Sequence, residues 1–489
     1  MKEYGLHING EWIESASRET FETRNPATGE TLARFARGTK EDVSKAVDAA
    51  EKAFLEWKRY PAPKRGEIIL KAASILRDRK EELGELVTKE MGKVIAEGKG
   101  DVQEAIDFLE YISGEGRRLF GETTPSELPN KFCMTIRQPI GVVGCITPWN
   151  FPFAVPCWKL GAALISGNTI VYKPATLTPL CAATLVEIFE EAGLPPGILN
   201  LVTGPPETVG TAIVEHPKIR ALSFTGGVRA GREIYSRAAR LLKKVTLELG
   251  SKNPLIVMDD ADVDLAIEGV LFGAFGTAGQ RCTATSRLIV HERVYNEVMG
   301  KLMEKTKALK VGNPLDPSVD IGPVCGEEQQ TKILNYIEIG REEGAKLLCG
   351  GRKLIGGEND KGFFIEPTIF EATHGMRITK EEIFGPVLSV LKVQGYEQGV
   401  EVANDVEYGL SSSIYTRDIS TAYRAINDLE TGIIYVNAPT IGAEVHLPFG
   451  GVKNTGNGAR EAGPTAIEEF TEIKTVFIDY SGKLQKAQI

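Results

Sequence analysis

The chain has 489 residues, of which 42% are hydrophobic and 25% charged, and its formal net charge is −9. This length predicts about two or three domains, and the composition excludes global disorder. The negative charge disfavours nucleic acid as a partner because it repels the phosphate backbone. Seven cysteines, an odd number without a Cys-x-x-Cys pair, favour reduced thiols and a cytoplasmic location over disulfides or zinc.

The first 118 residues are predicted to form a hairpin-like start and then a layer of helices. Segments 7–13 and 18–24 make the hairpin-like start, and the N-terminal MKEYGLHINGEW lacks the apolar region of a signal peptide. An amphipathic helix follows, with Thr39 as its N-cap and Asp42 nearby. Further helical patterns cover 64–80, 81–90 and 96–118.

Residues 139–158 carry no charge and could be mistaken for a membrane span. Three prolines fall there at four-residue spacing, at positions 148, 152 and 156, and would break a helix repeatedly. We therefore predict a buried strand, a loop and a helix, and we expect no membrane partner.

Short apolar strands alternate with helices from residue 136 to Gly250. This alternation is typical of a parallel α/β sheet with right-handed crossovers. A second alternating run after Gly250, including a strand-like segment at 363–372, predicts a second α/β domain. The segment 466–479 ends in β-prone residues.

Cys282 lies in GTAGQRCTATSR, where small residues allow a substrate to approach the backbone closely and Arg281 is adjacent. A thiol needs a lowered pKa to attack carbon as a thiolate. A buried structural cysteine is the alternative, and it is the commoner case for a lone cysteine.

Three polar residues follow predicted strands, where open α/β sheets bind ligands. Glu248 could be a partly desolvated base, Asn150 an amide donor to an oxyanion, and Lys173 a cofactor ligand. The alternatives are a solvated loop glutamate, a turn asparagine and a surface lysine.

The glycine cluster at 224–232 links a predicted strand to a helix, as phosphate sites do, but it lacks G-x-G-x-x-G and Walker patterns. The strings at 381–387 and 448–458 have no purely physical interpretation. Five scattered histidines give no metal-ligand spacing, so we expect no metal.

Taken together, the strings PWNFP, KPA, FTGG, LELGSKNP, GQRC, EEIFGP and PFGGVKNTG, in this order, resemble the aldehyde dehydrogenase superfamily. The resemblance runs over nearly the whole chain. It implies an α/β fold with a Rossmann-like parallel-sheet NAD(P)-binding domain (1–118 and 140–250) and an α/β catalytic domain (251–450). A small β oligomerisation element (119–139 and 466–485) would join copies into a homodimer or homotetramer.

The resemblance also implies roles for particular residues. Cys282 matches the nucleophile, Glu248 the general base, and Asn150 with the Cys282 N–H the oxyanion hole. The positions that match contacts to NAD or NADP are Thr147, Trp149, Lys173, Thr176, Gly226, Gly227, Gly231, Leu249, Gly250, Glu382 and Phe384. The positions that match the lining of the aldehyde tunnel are Phe151, Trp158 and Phe449.

The implied reaction oxidises an aldehyde to an acid through a thiohemiacetal and a thioester on Cys282. Family members that transfer the acyl group to coenzyme A generally lack the glutamate at 248, so its presence favours hydrolysis. A CoA-acylating semialdehyde dehydrogenase remains one alternative, and a broad-specificity aliphatic or aromatic aldehyde dehydrogenase is another. A non-catalytic protein is disfavoured because all three catalytic residues are intact.

Three positions depart from the family pattern. Thr176 stands where many NAD-preferring relatives carry a glutamate that would repel a 2′-phosphate. Gly227 stands where a serine often contacts phosphate, so pyrophosphate binding would lean more on backbone N–H groups. Ser251 replaces the usual glycine, with no consequence assigned from sequence.

The strings GQRCTATSR and KPAT look most like the semialdehyde branch, including 2-oxoglutarate semialdehyde (2,5-dioxopentanoate) dehydrogenases. Arg281 could pair with a distal carboxylate of such a substrate. It could equally form an ion pair within the protein.

Overall fold

Helices occupy much of the chain, in the positions that the apolar periodicity predicts. The computed structural model describes residues 2–486. Within this range the α-helices are α1 (Lys40–Trp57), α2 (Ala62–Asp78), α3 (Lys80–Met91), α4 (Ile95–Ser113), α5 (Ala154–Ile165), α6 (Pro179–Glu191), α7 (Thr211–Glu215), α8 (Val228–Ala239), α9 (Val263–Phe275), α10 (Tyr295–Ala308), α11 (Glu327–Glu342), α12 (Arg377–Lys380), α13 (Tyr396–Asn404), α14 (Ile419–Asp428) and α15 (Ala466–Glu469).

The strands are short and mostly apolar, as expected for buried sheets. In the same described range they are β1 (Lys2–Tyr4), β2 (Leu6–Ile8), β3 (Glu11–Ile13), β4 (Thr20–Arg24), β5 (Thr31–Ala36), β6 (Thr123–Pro125), β7 (Lys131–Pro139), β8 (Val142–Ile146), β9 (Thr169–Lys173), β10 (Leu199–Leu201), β11 (Ile219–Thr225), β12 (Lys244–Glu248), β13 (Asn253–Val257), β14 (Thr285–His291), β15 (Lys346–Cys349), β16 (Thr368–Glu371), β17 (Val387–Val393), β18 (Tyr408–Gly409), β19 (Ser411–Tyr415), β20 (Ile433–Val436), β21 (Val452–Lys453) and β22 (Thr471–Asp479).

Two large sheets dominate the fold. The first has the order β12-β11-β8-β9-β10-β2-β3, and its strands from β12 to β10 are parallel. The second has the order β15-β16-β17-β14-β13-β19-β20 and is parallel except at β15. These sheets confirm the predicted α/β fold class. The predicted domain boundaries stay a prediction.

The first sheet brings several predicted ligand positions to one edge. Strands β12, β11, β8 and β9 are neighbours and run in the same direction, so their carboxyl ends lie side by side. Glu248 ends β12, Lys173 ends β9, and Thr147 follows β8 directly. This is the edge at which open parallel sheets bind ligands.

The predicted pairing of 7–13 with 18–24 is wrong. Strands β2 and β3 instead form a hairpin with each other, and β4 pairs with β5. The turn between β2 and β3 is Asn9–Gly10, with φ of 54° and 81°. Asn-Gly is the pair most typical of a two-residue hairpin turn, so the sequence did contain the correct signal.

The helical layer agrees with its predicted positions, with small differences at the ends. Thr39 Oγ1 accepts from the Asp42 N–H at 3.3 Å, and the Asp42 carboxylate accepts from the Thr39 N–H at 3.1 Å, which confirms the predicted N-cap. The helix predicted over 96–118 ends at Ser113 and continues as a 3₁₀ turn over Gly114–Arg117.

Two apolar segments differ in extent from their predictions. The strand predicted over 363–372 is confined to β16, because Pro367 has no N–H to donate to a sheet. Residues 139–158 do form a buried strand, a loop and the start of a helix, namely β8 and α5. Across residues 2–486, no helix combines the length and apolar character needed to traverse a bilayer.

A three-stranded antiparallel sheet joins the C-terminal segment to the middle of the chain. It has the order β22-β7-β6, and its register runs from Thr471 opposite Pro139 to Asp479 opposite Lys131. Several large apolar side chains on this sheet are exposed, among them Phe132, Ile136, Ile473 and Phe477. Its predicted role in oligomerisation stays a prediction.

Candidate active site

Cys282 follows a strained turn that a network of contacts holds in place. After α9, residues Gly276–Gly279 form a 3₁₀ turn in which Thr277 and Ala278 have φ of 54° and 52°. Such left-handed backbone is uncommon outside glycine and clusters at functional sites. Gly279 is required there, because a Cβ would lie 2.1 Å from the Gly385 carbonyl oxygen.

Glu97 supports this turn from helix α4. Its carboxylate accepts from the Thr277 N–H at 2.8 Å and forms an ion pair with Arg281 at 2.9 Å. Arg281 Nε also donates to Thr277 Oγ1 at 2.9 Å. Both ion-pair partners are largely buried, so the guanidinium beside the cysteine has an internal partner.

The main chain of Cys282 is tied to the segment before β13. Its carbonyl oxygen accepts from Asn253 Nδ2 at 2.8 Å and from the hydroxyl of Ser251. The Ser251 N–H donates to Glu382 at 2.8 Å. Ser251 therefore links the cysteine loop to Glu382, a consequence that could not be assigned from sequence.

The thiol lies in a cavity that is partly open to solvent. Its wall is formed by Glu104, Phe151, Val155, Trp158, Thr225, Glu248, Leu249, Arg281, Cys282, Thr283, Leu410, Gly442, Ala443, Phe449 and Glu461. Cys282 and Glu248 thus share one cavity with Arg281 and the three predicted tunnel residues, Phe151, Trp158 and Phe449. The Trp158 and Phe449 rings pack edge to face at 5.0 Å, while Arg281 lies 5.6 Å from the centre of the Phe151 ring.

Asn150 is buried beside the cysteine loop. Its Nδ2 donates to the Gln280 carbonyl oxygen at 3.1 Å. A primary amide has two N–H donors, so one remains for another acceptor. The structure therefore places the Asn150 amide against the main chain two residues before Cys282.

Glu248 is buried, and neither carboxyl oxygen has a hydrogen-bond partner within the described chain. Burial, together with the nearby Glu461 and Glu469, raises the pKa of Glu248 well above its usual value. Glu461 itself forms a buried ion pair with Lys159. Burial therefore favours the neutral carboxylic acid form of Glu248 more than it would for a solvated glutamate.

The expectation of a lowered thiol pKa is wrong for this state of the site. Burial raises the pKa of Cys282 to about 12, and Glu248 and Glu382 add to the increase. The guanidinium of Arg281, the residue before Cys282, forms an ion pair with Glu97. The thiol is therefore protonated at neutral pH, and nucleophilic attack requires that its proton be removed.

The cofactor positions predicted on β8 and β9 are mostly buried. Lys173 is buried rather than at the surface, and its Nζ donates to the Pro174 carbonyl at 3.0 Å. Burial lowers the pKa of Lys173 to about 8. Thr147 lies 3.2 Å from the Tyr172 hydroxyl, and Thr176 is half-buried beyond the strand end.

The glycine cluster lies between β11 and α8. The Gly226 N–H donates to the Glu248 carbonyl at 3.0 Å, which holds the ends of β11 and β12 together. A Cβ on Gly231 would lie 2.4 Å from the Leu249 side chain, whereas one on Gly227 would meet open space. Gly227 precedes the first turn of α8, whose free N–H groups suit a phosphate.

The 381–387 string, uninterpreted from sequence, faces this same edge. Glu382 accepts from Ser251 and lies against Gly250, where a Cβ would be 2.6 Å from its carboxylate. Phe384 has φ of 61°, and its ring packs edge to face against Trp149 at 5.5 Å. Burial raises the pKa of Glu382.

Sequence reasoning missed three acidic residues at this site: Glu97, Glu104 and Glu461. They come from helix α4 and from the 448–461 segment, far along the chain from Cys282. No local pattern marks them, since an acidic residue on a helix is usually solvated. The glycine-rich 448–458 string contributes Phe449 and Gly450 to the cavity region.

Two α/β sheets that meet at a cavity with a cysteine, a buried glutamate and a phosphate-compatible helix start are typical of a nucleotide-dependent enzyme. Residues 12–476 match the Aldehyde dehydrogenase family, and the chain belongs to this family. The resemblance inferred from the ordered strings is thereby confirmed.

Three similar proteins illustrate the range of the family. Alpha-ketoglutaric semialdehyde dehydrogenase of Bacillus subtilis is 43% identical over 96% of this chain and 97% of its own length. A crystal structure of betaine aldehyde dehydrogenase from Staphylococcus aureus with NAD+ has a TM-score of 0.96 at 34% identity, covering 98% of this chain and 95% of that one. A structure of 3,6-anhydro-L-galactose dehydrogenase with NADP has a TM-score of 0.95 at 38% identity, covering 98% and 100%.

Proposed function

We propose that the protein oxidises an aldehyde to a carboxylic acid, with NAD+ or NADP+ as the hydride acceptor. The observation that carries this proposal is the presence of Cys282 and Glu248 in one cavity, with the Asn150 amide beside the cysteine loop. The thiol of Cys282 adds to the aldehyde carbon, and the resulting oxyanion is stabilised by the Asn150 amide and the Cys282 N–H. Loss of the thiol proton, and departure of a hydride from the former aldehyde carbon to the acceptor that a bound cofactor would supply, would leave a thioester on Cys282 to be cleaved.

A dinucleotide fits the residues at the sheet edge. Lys173 is a buried cation at a strand end, and α8 begins with a glycine that leaves open space before its free N–H groups. Glu382, Phe384 and Trp149 would hold the nicotinamide end. When bound, the cofactor would supply the acceptor for the hydride.

Glu248 is proposed to activate the water that cleaves the thioester. A buried carboxyl without a hydrogen-bond partner can accept a proton from water once it is ionised. The experiment is product analysis with a panel of aldehydes and NAD(P)+, with and without coenzyme A. We expect the free acid in both cases; acyl-CoA as the main product would overturn the hydrolytic mechanism, and no NAD(P)H with any aldehyde would overturn the activity.

We expect NADP+ to be used at least as well as NAD+. Thr176 is half-buried and neutral, so it presents no charge against a 2′-phosphate. The measurement is kcat/KM for both cofactors, together with their Kd by fluorescence titration. Thr176→Glu should weaken NADP+ binding by about 10-fold or more relative to NAD+.

Thr176→Ala is the matched control, since it removes the hydroxyl without adding charge. It should leave the ratio of the two Kd values within about 3-fold of the wild type. An NAD+ advantage above ~100-fold in the wild type, about 2.7 kcal/mol, would contradict the expectation.

A semialdehyde is a candidate substrate because the Bacillus subtilis relative is named for one and Arg281 lines the cavity. Its ion pair with Glu97 argues for the alternative, a structural arginine and a broader substrate range. If Arg281 binds the distal carboxylate of the substrate, Arg281→Ala should lower kcat/KM about 10-fold more for succinate semialdehyde than for butanal. An equal loss for both aldehydes would assign Arg281 to support of the turn.

We also propose a homo-oligomer, a dimer or tetramer, assembled through β6, β7 and β22. The support is the exposed apolar surface of this sheet and the exposed strand edge that it offers for pairing. A cytoplasmic location is proposed because the seven cysteines are free thiols. We propose three units within the chain. The cofactor unit comprises residues 1–118 and 140–250, the catalytic unit residues 251–450, and the oligomerisation unit residues 119–139 and 466–485.

A further inference from the structure

Glu104 is an acidic residue in the wall of the cavity that holds the thiol. It comes from α4, in the helical layer, and it is half-buried. Within residues 2–486, no side chain or backbone N–H donates a hydrogen bond to its carboxyl group. Its carboxyl group is therefore available to a molecule in the cavity.

The other charged groups in this wall are already offset. Arg281 pairs with Glu97 at 2.9 Å, and Glu461 pairs with Lys159. Burial and acidic neighbours raise the pKa of Glu248 and favour its neutral form. Glu104, like Glu248, is thus a wall carboxyl group without a direct counter-ion in the described structure.

The surroundings of Glu104 contain charges of both signs. Lys93, whose positive charge lowers the pKa of Glu104, is itself paired with Asp101 at 3.2 Å and lies over the Phe151 ring. The titratable groups that face Glu104 are Asp101 and Asp107 on its own helix, Lys93 before that helix, Arg281 and Cys282 on the cysteine loop, and Tyr435 on β20.

We propose that Glu104 selects the aldehyde by the group at the end remote from the carbonyl, disfavouring a distal carboxylate and favouring a neutral hydrogen-bond donor or a cation. This inference rests on the proposed function, and of its two substrate alternatives it favours the broader range over a semialdehyde with a distal carboxylate. The physical reason is that a like charge in a partly desolvated cavity is repelled more strongly than in water, while a donor or cation gains a charge-assisted contact.

The strength of this selection follows the ionisation of Glu104. Burial, with Asp101 close by, raises the pKa of Glu104 to about 7. Below this pH the carboxyl is neutral and does not repel an anionic aldehyde. Above it the carboxylate is charged, so discrimination against a distal carboxylate grows between about pH 6 and pH 8.

The test uses three aldehydes with the same carbon chain and different distal groups: succinate semialdehyde, 4-hydroxybutanal and 4-trimethylammoniobutanal. The measured quantity is the ratio of kcat/KM between two aldehydes within one variant, which cancels any general loss of activity. We expect Glu104→Gln to raise the semialdehyde to hydroxyaldehyde ratio by on the order of 10-fold at pH 8, and by less than about 2-fold at pH 6.

Glu110→Gln is the matched control, since it makes the same change on the same helix outside the cavity, where Glu110 pairs with Arg77. It should leave the ratio at its wild-type value. Should Glu104→Gln fail to fold, Glu104→Leu makes the same change in charge and takes its place.

Equal ratios in the wild type and the Glu104 variant at pH 8 would overturn the proposal, as would an equal shift in the Glu110 variant. Both results differ from failure of the proposed function, in which the wild type reduces NAD(P)+ with none of the three aldehydes. A ratio that rises with Glu104→Gln at pH 8 and converges with the wild type at pH 6 supports it.

Discussion

Cys282→Ser is expected to lower turnover of every aldehyde by on the order of 10⁴-fold, as removal of a covalent nucleophile does in other enzymes. The hydroxyl is a far weaker nucleophile than a thiolate, and it is also much harder to ionise than a thiol. The measurement is steady-state NAD(P)H formation at saturating cofactor. Unfolding temperature should stay within a few degrees, because the exchange changes one half-buried atom.

Cys349→Ser is the matched control for this exchange. Cys349 is also half-buried, but it lies on β15, at the edge of the second sheet and away from the cavity. Its replacement should leave turnover within about 2-fold of the wild type. A Cys282→Ser protein that keeps a tenth or more of wild-type turnover would show that another group carries the reaction.

Glu248→Gln is expected to separate the two halves of the reaction. The amide keeps the shape of the side chain but cannot accept a proton from water, so hydrolysis should slow by about 10²–10⁴-fold. The thioester forms before water attacks, so its formation does not need a base that activates water. We therefore expect a burst of about one NAD(P)H per cavity, followed by a slow steady state.

The acyl-enzyme that accumulates in this variant should be visible by intact-protein mass spectrometry, as an added acyl mass on Cys282. Glu468→Gln, at an exposed glutamate paired with Arg137, is the control and should show no burst beyond that of the wild type. Loss of both the burst and turnover in Glu248→Gln would instead place Glu248 in the first half of the reaction.

The raised pKa of Glu248 also predicts the direction of the pH dependence. The working base is the carboxylate, which becomes more populated as pH rises toward its raised pKa. Wild-type hydrolysis should therefore increase from pH 6 to pH 9. In Glu248→Gln this increase should be absent from the slow phase.

The sequence was sufficient for the sheets but not for every pairing. Apolar runs such as β8, β9 and β14 are buried on both faces, so their composition alone identifies them as central strands. At the N-terminus the pairing follows the Asn9–Gly10 turn, which joins β2 directly to β3. Strand β16 begins at Thr368, directly after Pro367. The apolar pattern over residues 363–372 does not reveal this start.

The candidate site shows the same division. Glu248, Asn150 and Lys173 could be placed after predicted strands from sequence, because the alternation of strands and helices indicates a parallel sheet with ligands at its carboxyl edge. The acidity of the thiol could not, since it depends on carboxylates contributed by distant segments and on the pairing of Arg281 with Glu97. The position of Glu104 in the cavity wall could not be predicted either, because the cavity is formed only by tertiary packing.

The wall of the cavity has a consequence for the order of biosynthesis. Phe449 and Glu461 complete the surroundings of Glu248, and β22 pairs with β7 near the far end of the sequence. Residues as far as 479 must be synthesised before these partners can meet, and contacts of such long sequence separation form late. A nascent chain in which Cys282 has been translated but residues 449–479 have not therefore lacks part of the finished cavity wall.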